Sequence, residues 1–446
     1  MKHKLLIIGF IFFHSLVTGY TQVAPERVIT LQECLKMAIE NSPKLKISVL
    51  EQNKLRYKYK ETIGKGLPNI NISGAFDNYV SLPTQLIPGE FFGRPGELIQ
   101  VQFGTTYNLT AELAASQLIY NQQYLVGVRM SKLMMDQNFL ANEKTKTDVI
   151  FEVAQSYYLT QIIRNQIQNQ QDNLRKLEKA EKIASSQYES GLIKKIDLDR
   201  IVVQKLNLQT EIDRLQVLLE QGLNMQRYYM GLPMDQPISF PDSIPASTLN
   251  VQAAQDLSKH IDIRLLEMQK RLIYTNLKLN QAGYFPSLSL IAGLNYNNQS
   301  NTYYVFGKST EWFNTSLVGL RLNVPVFNGL QRHSRVSQSR VELQQLQVAE
   351  DDTRKLLQIQ SQDAARKLLA SIAAEKRQRE NMHLANRVYD VSQDQYQKGI
   401  IPLTDLLNAE TAMSDAQTSH TMALVQMKIA ELEYLNANGD LLEIVQ

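Results

Sequence analysis

Nucleophilic or metal-assisted chemistry needs residues that this chain barely has. Its 446 residues include one Cys and six His. The single cysteine, Cys34, excludes an internal disulfide framework and any multi-cysteine metal site. The histidines are scattered and no HExxH occurs, so no zinc-enzyme signature is present. GxSxG, the P-loop and GxGxxG are missing as well. His420 lies at helical spacing among apolar residues, where a lone histidine reads as packing before it reads as a ligand. Tyr157-Tyr158 and Tyr228-Tyr229 read the same way. Lys+Arg 47 against Asp+Glu 44, with a mean hydropathy of −0.27, leaves no basic surplus for nucleic acid. The reading is a non-enzyme without cofactor, metal or nucleic-acid partner.

The groups that do recur with fixed spacing belong to turns. Tyr188, Gly191, Ile193, Asp197 and Leu198 return 208 positions later as Tyr396, Gly399, Ile401, Asp405 and Leu406. A glycine that ends one helical run and reverses the chain supplies the positive φ that tight turns need. Leu192, Ile193, Ile400 and Ile401 then stand as apolar groups at the far end of long helices. An exposed apolar tip suggests a docking surface, and a plain helix–helix turn with its own packing is the simpler alternative. Asp197 and Asp405 have two readings. Beside their copies they would make an acidic constriction, favouring cations and screened by salt. Alone, each would complement the N-terminal end of the helix it begins, at ~0.3–1 kcal/mol. Both can hold together.

Long helices must carry those turns. No Gly or Pro occurs over the 63 residues from Val128 to Ser190, nor over the 69 from Leu330 to Lys398. At 1.5 Å per residue each run reaches roughly 95 Å. Each is followed by a short break and a second helical run, which gives two long antiparallel hairpins. Their seams are written in heptads. Ala409, Ala416, Ala423, Ala430 and Ala437 recur every seven residues, with Met413, His420, Met427 and Tyr434 four residues after successive alanines. Such small and large alternation suits knobs-into-holes packing. Ile201, Leu208, Ile212, Leu215 and Leu219 set the earlier seam.

A second kind of pattern alternates with period two. Ile99, Val101, Phe103, Tyr107, Leu109 and Leu113 share one face against Gln100, Gln102, Thr106, Asn108, Thr110 and Glu112. Leu288, Leu290, Leu294 and Tyr296 repeat it, and weaker cases span Ile70–Val80 and Trp312–Val324. Turn-rich loops, Pro83–Gly96 and Ser300–Ser309, separate the members of each pair. These read as four strands, at about 69–82, 98–113, 287–298 and 311–324. The modest reading is a half-buried soluble hairpin. The sharper one is a transmembrane barrel hairpin with apolar residues toward lipid.

The chain also repeats itself as a whole. Pro43, Pro68, Ile70 and Ile72 match Ile261, Pro286, Leu288 and Leu290, and Tyr120-Asn121 matches Phe327-Asn328. Each half reads helix, strand, loop, strand, long helix, tight turn, helix. The first repeat spans 22–230, a Pro-rich linker spans 231–249, the second repeat spans 250–440, and 441–446 is a short tail. Residues 1–21 read as a secretory signal peptide: Lys2 and Lys4, the apolar run Leu5–Val17, then small and polar residues around Thr18, Gly19 and Thr21. Cys34 lies too far from that run for a lipoprotein cleavage site. No other apolar stretch approaches 18 residues, so the mature chain is soluble or enters a membrane as a barrel. Four strands are too few to close one, so several copies would have to share it. The hairpins would then project together as a coaxial tube.

At this point the sequence resembles the TolC-like outer-membrane efflux and secretion channels, over about Val28 to Asp440. The resemblance is carried by Leu31-Gln32-Glu33-Cys34-Leu35 through Asn41-Ser42-Pro43, by Pro68 and Pro286, by Pro325-Val326-Phe327-Asn328-Gly329, and by the two Tyr-x-x-Gly turns. It implies a mainly α fold with a β-barrel part: a homotrimer whose shared barrel crosses the outer membrane lipid and whose helical tunnel fills the periplasm. It implies a periplasmic adaptor and an inner-membrane RND or ABC transporter as partners, with the turns at Gly191 and Gly399 meeting the adaptor. It implies a periplasmic gate at Tyr396, Asp197 and Asp405. Ile401 stands where some members carry a gating arginine, Asn408 where a further Asp can occur, and Cys34 where Ala is usual. A secreted structural coiled-coil protein without channel activity is the alternative.

Overall fold

The computed structural model describes residues 27–303 and 311–445, apart from 246, 248 and 252–255. The leader at 1–21 lies outside the described residues, as does the 300–309 loop beyond Tyr303. Strand β1 (Arg27–Val28) leads into α1 (Leu31–Asn41), started by a capping box in which Thr30 and Glu33 satisfy each other's backbone N–H. The single first helix expected here is two. Pro43 cannot continue α1 but is suited to the first turn of α2 (Pro43–Gly64). Strands β2 (Asn69–Asn78), β3 (Thr84–Pro88), β4 (Leu98–Gln102) and β5 (Tyr107–Asn121) follow. The first hairpin is α3 (Gln122–Glu189) with α4 (Lys195–Met230). After β6 (Ile238–Ser239) the second half runs α5 (Ile261–Ala282), β7 (Ser287–Ser300) and β8 (Trp312–Asn323), then the hairpin α6 (Gln331–Gln397) with α7 (Leu403–Asn438).

The expected strand at 98–113 is corrected to two, in two different sheets. β4 pairs with β3 in a small separate hairpin, so the Pro83–Gly96 segment is partly strand and partly a 3-10 turn at Gly89–Phe92. Gly104, with φ 109°, interrupts the extended chain between β4 and β5. The alternation had hidden that break because Phe103 and Tyr107 stay in phase across it.

The main sheet is antiparallel throughout, in the order β2-β5-β7-β8. Its register aligns one apolar face, where Ile72, Leu113 and Leu294 form one row and Leu290 and Leu320 another. The opposite face is mainly polar or small: Ser73, Glu112, Asn295 and Thr315 make one row across all four strands, with Ile291, Phe313 and Leu317 among the large apolar members of that face. Both edges, β2 and β8, are open, and Ile70, Ile72, Leu317, Val318, Leu320 and Leu322 are exposed.

The largest core lies midway along the helices rather than at the sheet. Val149, Ile150, Val153 and Tyr157 of α3 meet Leu368 of α6, Ala430 of α7, and Cys34, Leu35 and Ala38 of α1. The linker is part of this core and not a loose connection. β6 pairs in parallel with β1, Phe240 packs on Tyr157 with the rings tilted and centroids 4.5 Å apart, and Gln161 Nε2 donates to Pro241 O at 2.6 Å. The tail is docked too, through buried Leu441. Cys34 donates to Gln226 Oε1 at 3.0 Å, and burial pushes its thiol up to about 12. It is packing, not a reactive group.

No helix among the described residues is long and apolar enough to cross a membrane. The heptad seams pack as written. Ala409, Ala416, Ala423, Ala430, Met413, Met427 and Tyr434 are buried in α7, as are Ile201, Leu208, Ile212 and Leu215 in α4. His420 sits 3.2 Å from Glu375 Oε1, a seam pair between α7 and α6.

Candidate functional site

Both long helices end in the same Schellman motif. At the first tip Gly191, with φ 74°, donates to Tyr188 O at 2.9 Å, and Leu192 N donates to Gln187 O at 2.8 Å. At the second, Gly399 has φ 72° and donates to Tyr396 O at 2.9 Å, while Ile400 N donates to Gln395 O at 2.9 Å. A Cβ on either glycine would meet no atom within 4 Å, so the positive φ, not space, is what requires glycine.

The four apolar tip residues divide into two pairs. Leu192 and Ile400, one step past each glycine, are exposed, whereas Ile193 and Ile401 turn inward onto a tip core. The expectation that all four stand exposed is corrected on this point. That core is built by Leu177, Ala180 and Ala184 of α3, Ile201 of α4, Tyr389 and Tyr396 of α6, and Leu403, Leu406 and Met413 of α7. It packs the two tips against each other around a cleft of about 890 Å³, walled by Gln187, Ile196, Asp197, Arg200, Tyr396 and Thr404.

Within the cleft Tyr396 is 3% exposed and its hydroxyl donates to Gln187 Oε1 at 2.9 Å. Burial, and then the nearby Asp197 carboxylate, raise the phenol's pKa, so it remains a proton donor at neutral pH. Asp197 lies in the first turn of α4, its Oδ1 3.5 Å from Arg200 Nη1. Asp405 occupies the matching place in α7, exposed, with Asn408 exposed one turn on. Neither helix has a side-chain cap, since Lys194 and Pro402 occupy the N-cap positions. The first-turn carboxylates therefore complement unsatisfied backbone N–H groups. Of the expected gate residues, the fold brings Tyr396 and Asp197 together and leaves Asp405 and Asn408 on the open side.

Two contributors escaped the sequence reading. Gln187 holds Tyr396, and a repeated Gln-Tyr-x-x-Gly (Gln187-Tyr188 and Gln395-Tyr396) was the signal for it. Glu410 is a buried carboxylate that accepts from Gln204 Nε2 of α4 at 2.9 Å. Burial raises its pKa against that hydrogen bond. The tip has no nucleophile–base pair. Its polar groups tie helices together, Tyr396 of α6 to Gln187 of α3 and Gln204 of α4 to Glu410 of α7.

Comparisons with known proteins bear on the fold and the family. The family model described as "Outer membrane efflux protein" matches twice, over residues 34–220 and 253–439, which are the two halves of the duplication. The Cation efflux system protein CusC of Escherichia coli O157:H7 is 22% identical over 317 residues, 69% of this chain and 64% of its own length. The aligned part thus spans less than two thirds of that relative. Nodulation protein T of Rhizobium leguminosarum bv. trifolii is 22% identical over 381 residues, covering 82% of this chain and 78% of its own. Among solved structures, the outer membrane channel CmeC of Campylobacter jejuni superposes with a TM-score of 0.73 at 15% identity, covering 92% of this chain and 85% of its own. CusC superposes with a TM-score of 0.70 at 17% identity, covering 92% of each chain. A doubled match on both halves, together with a shared fold over nine-tenths of the length, has one consistent explanation: the chain belongs to the outer membrane efflux protein family.

Proposed function

We propose that three copies of this chain form a passive exit duct in the outer membrane, with the sheets closed into one barrel and the hairpins into a periplasmic tunnel. The observation that carries this is the sheet. It has two open edges, one apolar face and one mainly polar face, in strands of 10 to 15 residues. A transmembrane β-strand needs about 9–11 residues. Open edges cannot face lipid, because each unpaired backbone group there costs several kcal/mol. Strand direction alternates across β2-β5-β7-β8, so β8 of one copy beside β2 of the next continues the antiparallel pattern, and the ring can close with no edge left.

The polar row of Ser73, Glu112, Asn295 and Thr315 then lines the lumen. A lumen of this kind selects by access rather than by a pocket, and the cargo is set by the pump it meets. The partners are a periplasmic adaptor docking at Leu192 and Ile400 beside Gly191, Ile193, Gly399 and Ile401, and an inner-membrane RND or ABC transporter behind it. Tyr396, Asp197, Asp405 and Asn408 form the periplasmic constriction, and export follows cleavage of the leader at 1–21.

Native mass measurement in mild detergent tests the assembly: a three-chain species supports it, and a stable membrane-free monomer overturns it. Leu113→Lys places a charge on the apolar face, at a cost of about 2–4 kcal/mol near the bilayer midplane. It should abolish membrane assembly, whereas a secreted coiled-coil protein with a soluble cap would be exported unchanged. Asp405→Asn should lower cation preference in single-channel recording at low salt. Unchanged selectivity would make Asp405 a helix-start residue only.

A further inference from the structure

We propose that the cations just beneath the main sheet form a collar that holds the phosphate headgroups of anionic phospholipids in the periplasmic leaflet of the outer membrane. The inference rests on the membrane-spanning duct proposed above and names a ligand which that reading does not require. It comes from a segregation of charge. The whole chain is nearly neutral, with Lys+Arg 47 against Asp+Glu 44. The four stretches that enter or leave the sheet at its helical end are not. Residues 56–68 hold Arg56, Lys58, Lys60 and Lys65 against Glu61, the only acid in all four stretches. The stretch 122–132 adds two lysines or arginines, 273–286 adds one and 324–340 adds three. Farther along the helices such cations are paired, Lys54 with Glu51 at 3.1 Å and Lys270 with Glu350 at 2.9 Å. Arg56, Lys58, Lys60 and Lys278 are exposed and have no carboxylate partner among the described residues.

The duplication places two of these lysines alike. Lys60 and Lys278 each lie four residues before the end of their helix, α2 or α5, and nine before the first residue of β2 or β7. Each has its ammonium over a tyrosine ring, 5.6 Å from the Tyr57 centroid and 4.5 Å from that of Tyr274. Between these lysines and the strands stands an exposed apolar rim. Leu67 and Phe285 hold matching places before Pro68 and Pro286, and Val326 and Phe327 follow β8; all four are exposed. The order from the sheet outward is thus apolar face, apolar and aromatic rim, then cations. That is the order of polarity across one side of a bilayer, where aromatic rings mark the interface and lysine stems carry their charge to the phosphates. Four helical residues rise about 6 Å, comparable to the roughly 5–8 Å of headgroup on each side of the hydrocarbon. A neighbouring copy brings the same cationic stretches, so it does not supply the missing anions. They come from another molecule, and at this height on the duct that molecule is lipid. A phosphodiester offers one negative charge and free oxygens to which Lys and Arg donate.

Lipid competition read by native mass tests this on the assembled protein in mild detergent. Phosphatidylglycerol and phosphatidylcholine with the same acyl chains are added in equal amounts. The unsubstituted assembly should retain the anionic lipid several-fold over the zwitterionic one, and the preference should shrink as salt is raised. Arg56→Gln, Lys58→Gln, Lys60→Gln and Lys278→Gln combined should bring the two lipids to parity with the three-chain mass unchanged. Arg56→Lys with Lys58→Arg, Lys60→Arg and Lys278→Arg should keep the preference, because charge is what the collar supplies. If the three-chain species retains both lipids equally, the collar is overturned and the duct stands. If no multi-chain species forms with the unsubstituted chain, both fall. A glutamine variant that keeps its lipid preference but changes ion selectivity in single-channel recording places these cations in the lumen, which overturns the collar as well. Should the glutamine variant fail to assemble, phosphatidylglycerol with a photoreactive headgroup is cross-linked to the unsubstituted assembly. Adducts on 56–68 or 273–286 support the collar, and adducts confined to other segments overturn it.

Discussion

The two hairpins follow one backbone plan with opposite distributions of bulk. In the first, the returning helix fills its seam with Ile201, Leu208 and Leu215; 208 positions later the same places hold Ala409, Ala416 and Ala423. At the interleaved positions the second hairpin has Met413, Met427 and Tyr434 where the first has Lys205, Leu219 and Gln226, and of these only the tyrosine adds bulk. The backbone path is kept while the side chains that fill the seam change. Charge is also distributed unequally. Buried Glu410 replaces Val202, and the half-buried Lys205–Glu181 pair at 2.7 Å belongs to the first hairpin alone. After duplication, then, the turn geometry was kept in both copies and the burial of each side chain was reassigned by its new neighbours.

The two tip glycines offer the most severe way to break this likeness. Gly399→Glu forces a non-glycine residue into the left-handed region, at about 1–2 kcal/mol, and puts a charge beside exposed Ile400. It should abolish export of a dye substrate with trimer yield intact, and Gly191→Glu should do the same at the first tip. If export persists in both, the tips are turns and not docking elements.

The seams come next. Leu215→Ala opens a cavity in the first hairpin, at about 2–5 kcal/mol, and Ala423→Leu overfills the second, at about 1–3 kcal/mol. Thermal loss of helical circular dichroism in detergent should show both destabilised, Leu215→Ala more. Equal and negligible shifts would mean that the seams are not tightly packed.

Removal of one hydrogen bond is subtler. Tyr396→Phe deletes the bond to Gln187 without changing volume, a loss of about 0.5–1.5 kcal/mol. Single-channel records should show longer open times, by a few-fold at most, since the constriction loses one polar tie per chain. Unaltered gating would assign Tyr396 to packing alone.

The smallest effect concerns pH. The folded Glu410 carboxyl holds its proton to a higher pH than the usual 4.5, mainly through burial. Below that value both states are protonated and its burial as a charge costs nothing. As pH rises through the raised folded value, the unfolded state ionises more readily, and stability is lost. Glu410→Gln keeps an acceptor for Gln204 and removes the charge. Its thermal midpoint should match the parent at pH 4 and exceed it slightly at pH 8. The reverse order would show that the charge is stabilising where it lies.

Sequence by itself determined the lengths and the punctuation. Breaker-free runs, heptads and two Tyr-x-x-Gly turns are local signals with local causes, and α3, α6 and both Schellman turns follow them closely. The duplication was equally legible, because it compares the chain with itself. Tertiary structure decided what local sequence leaves equal. It separated β4 from β5 at Gly104, since an alternation that stays in phase carries no information about which sheet each stretch joins. It drew the Pro-rich linker into the core through Phe240 and Tyr157, which are 83 positions apart and share no local pattern. And it buried Tyr396 while leaving Tyr188 in the open, because burial belongs to the surface a side chain meets and not to the residues on either side of it.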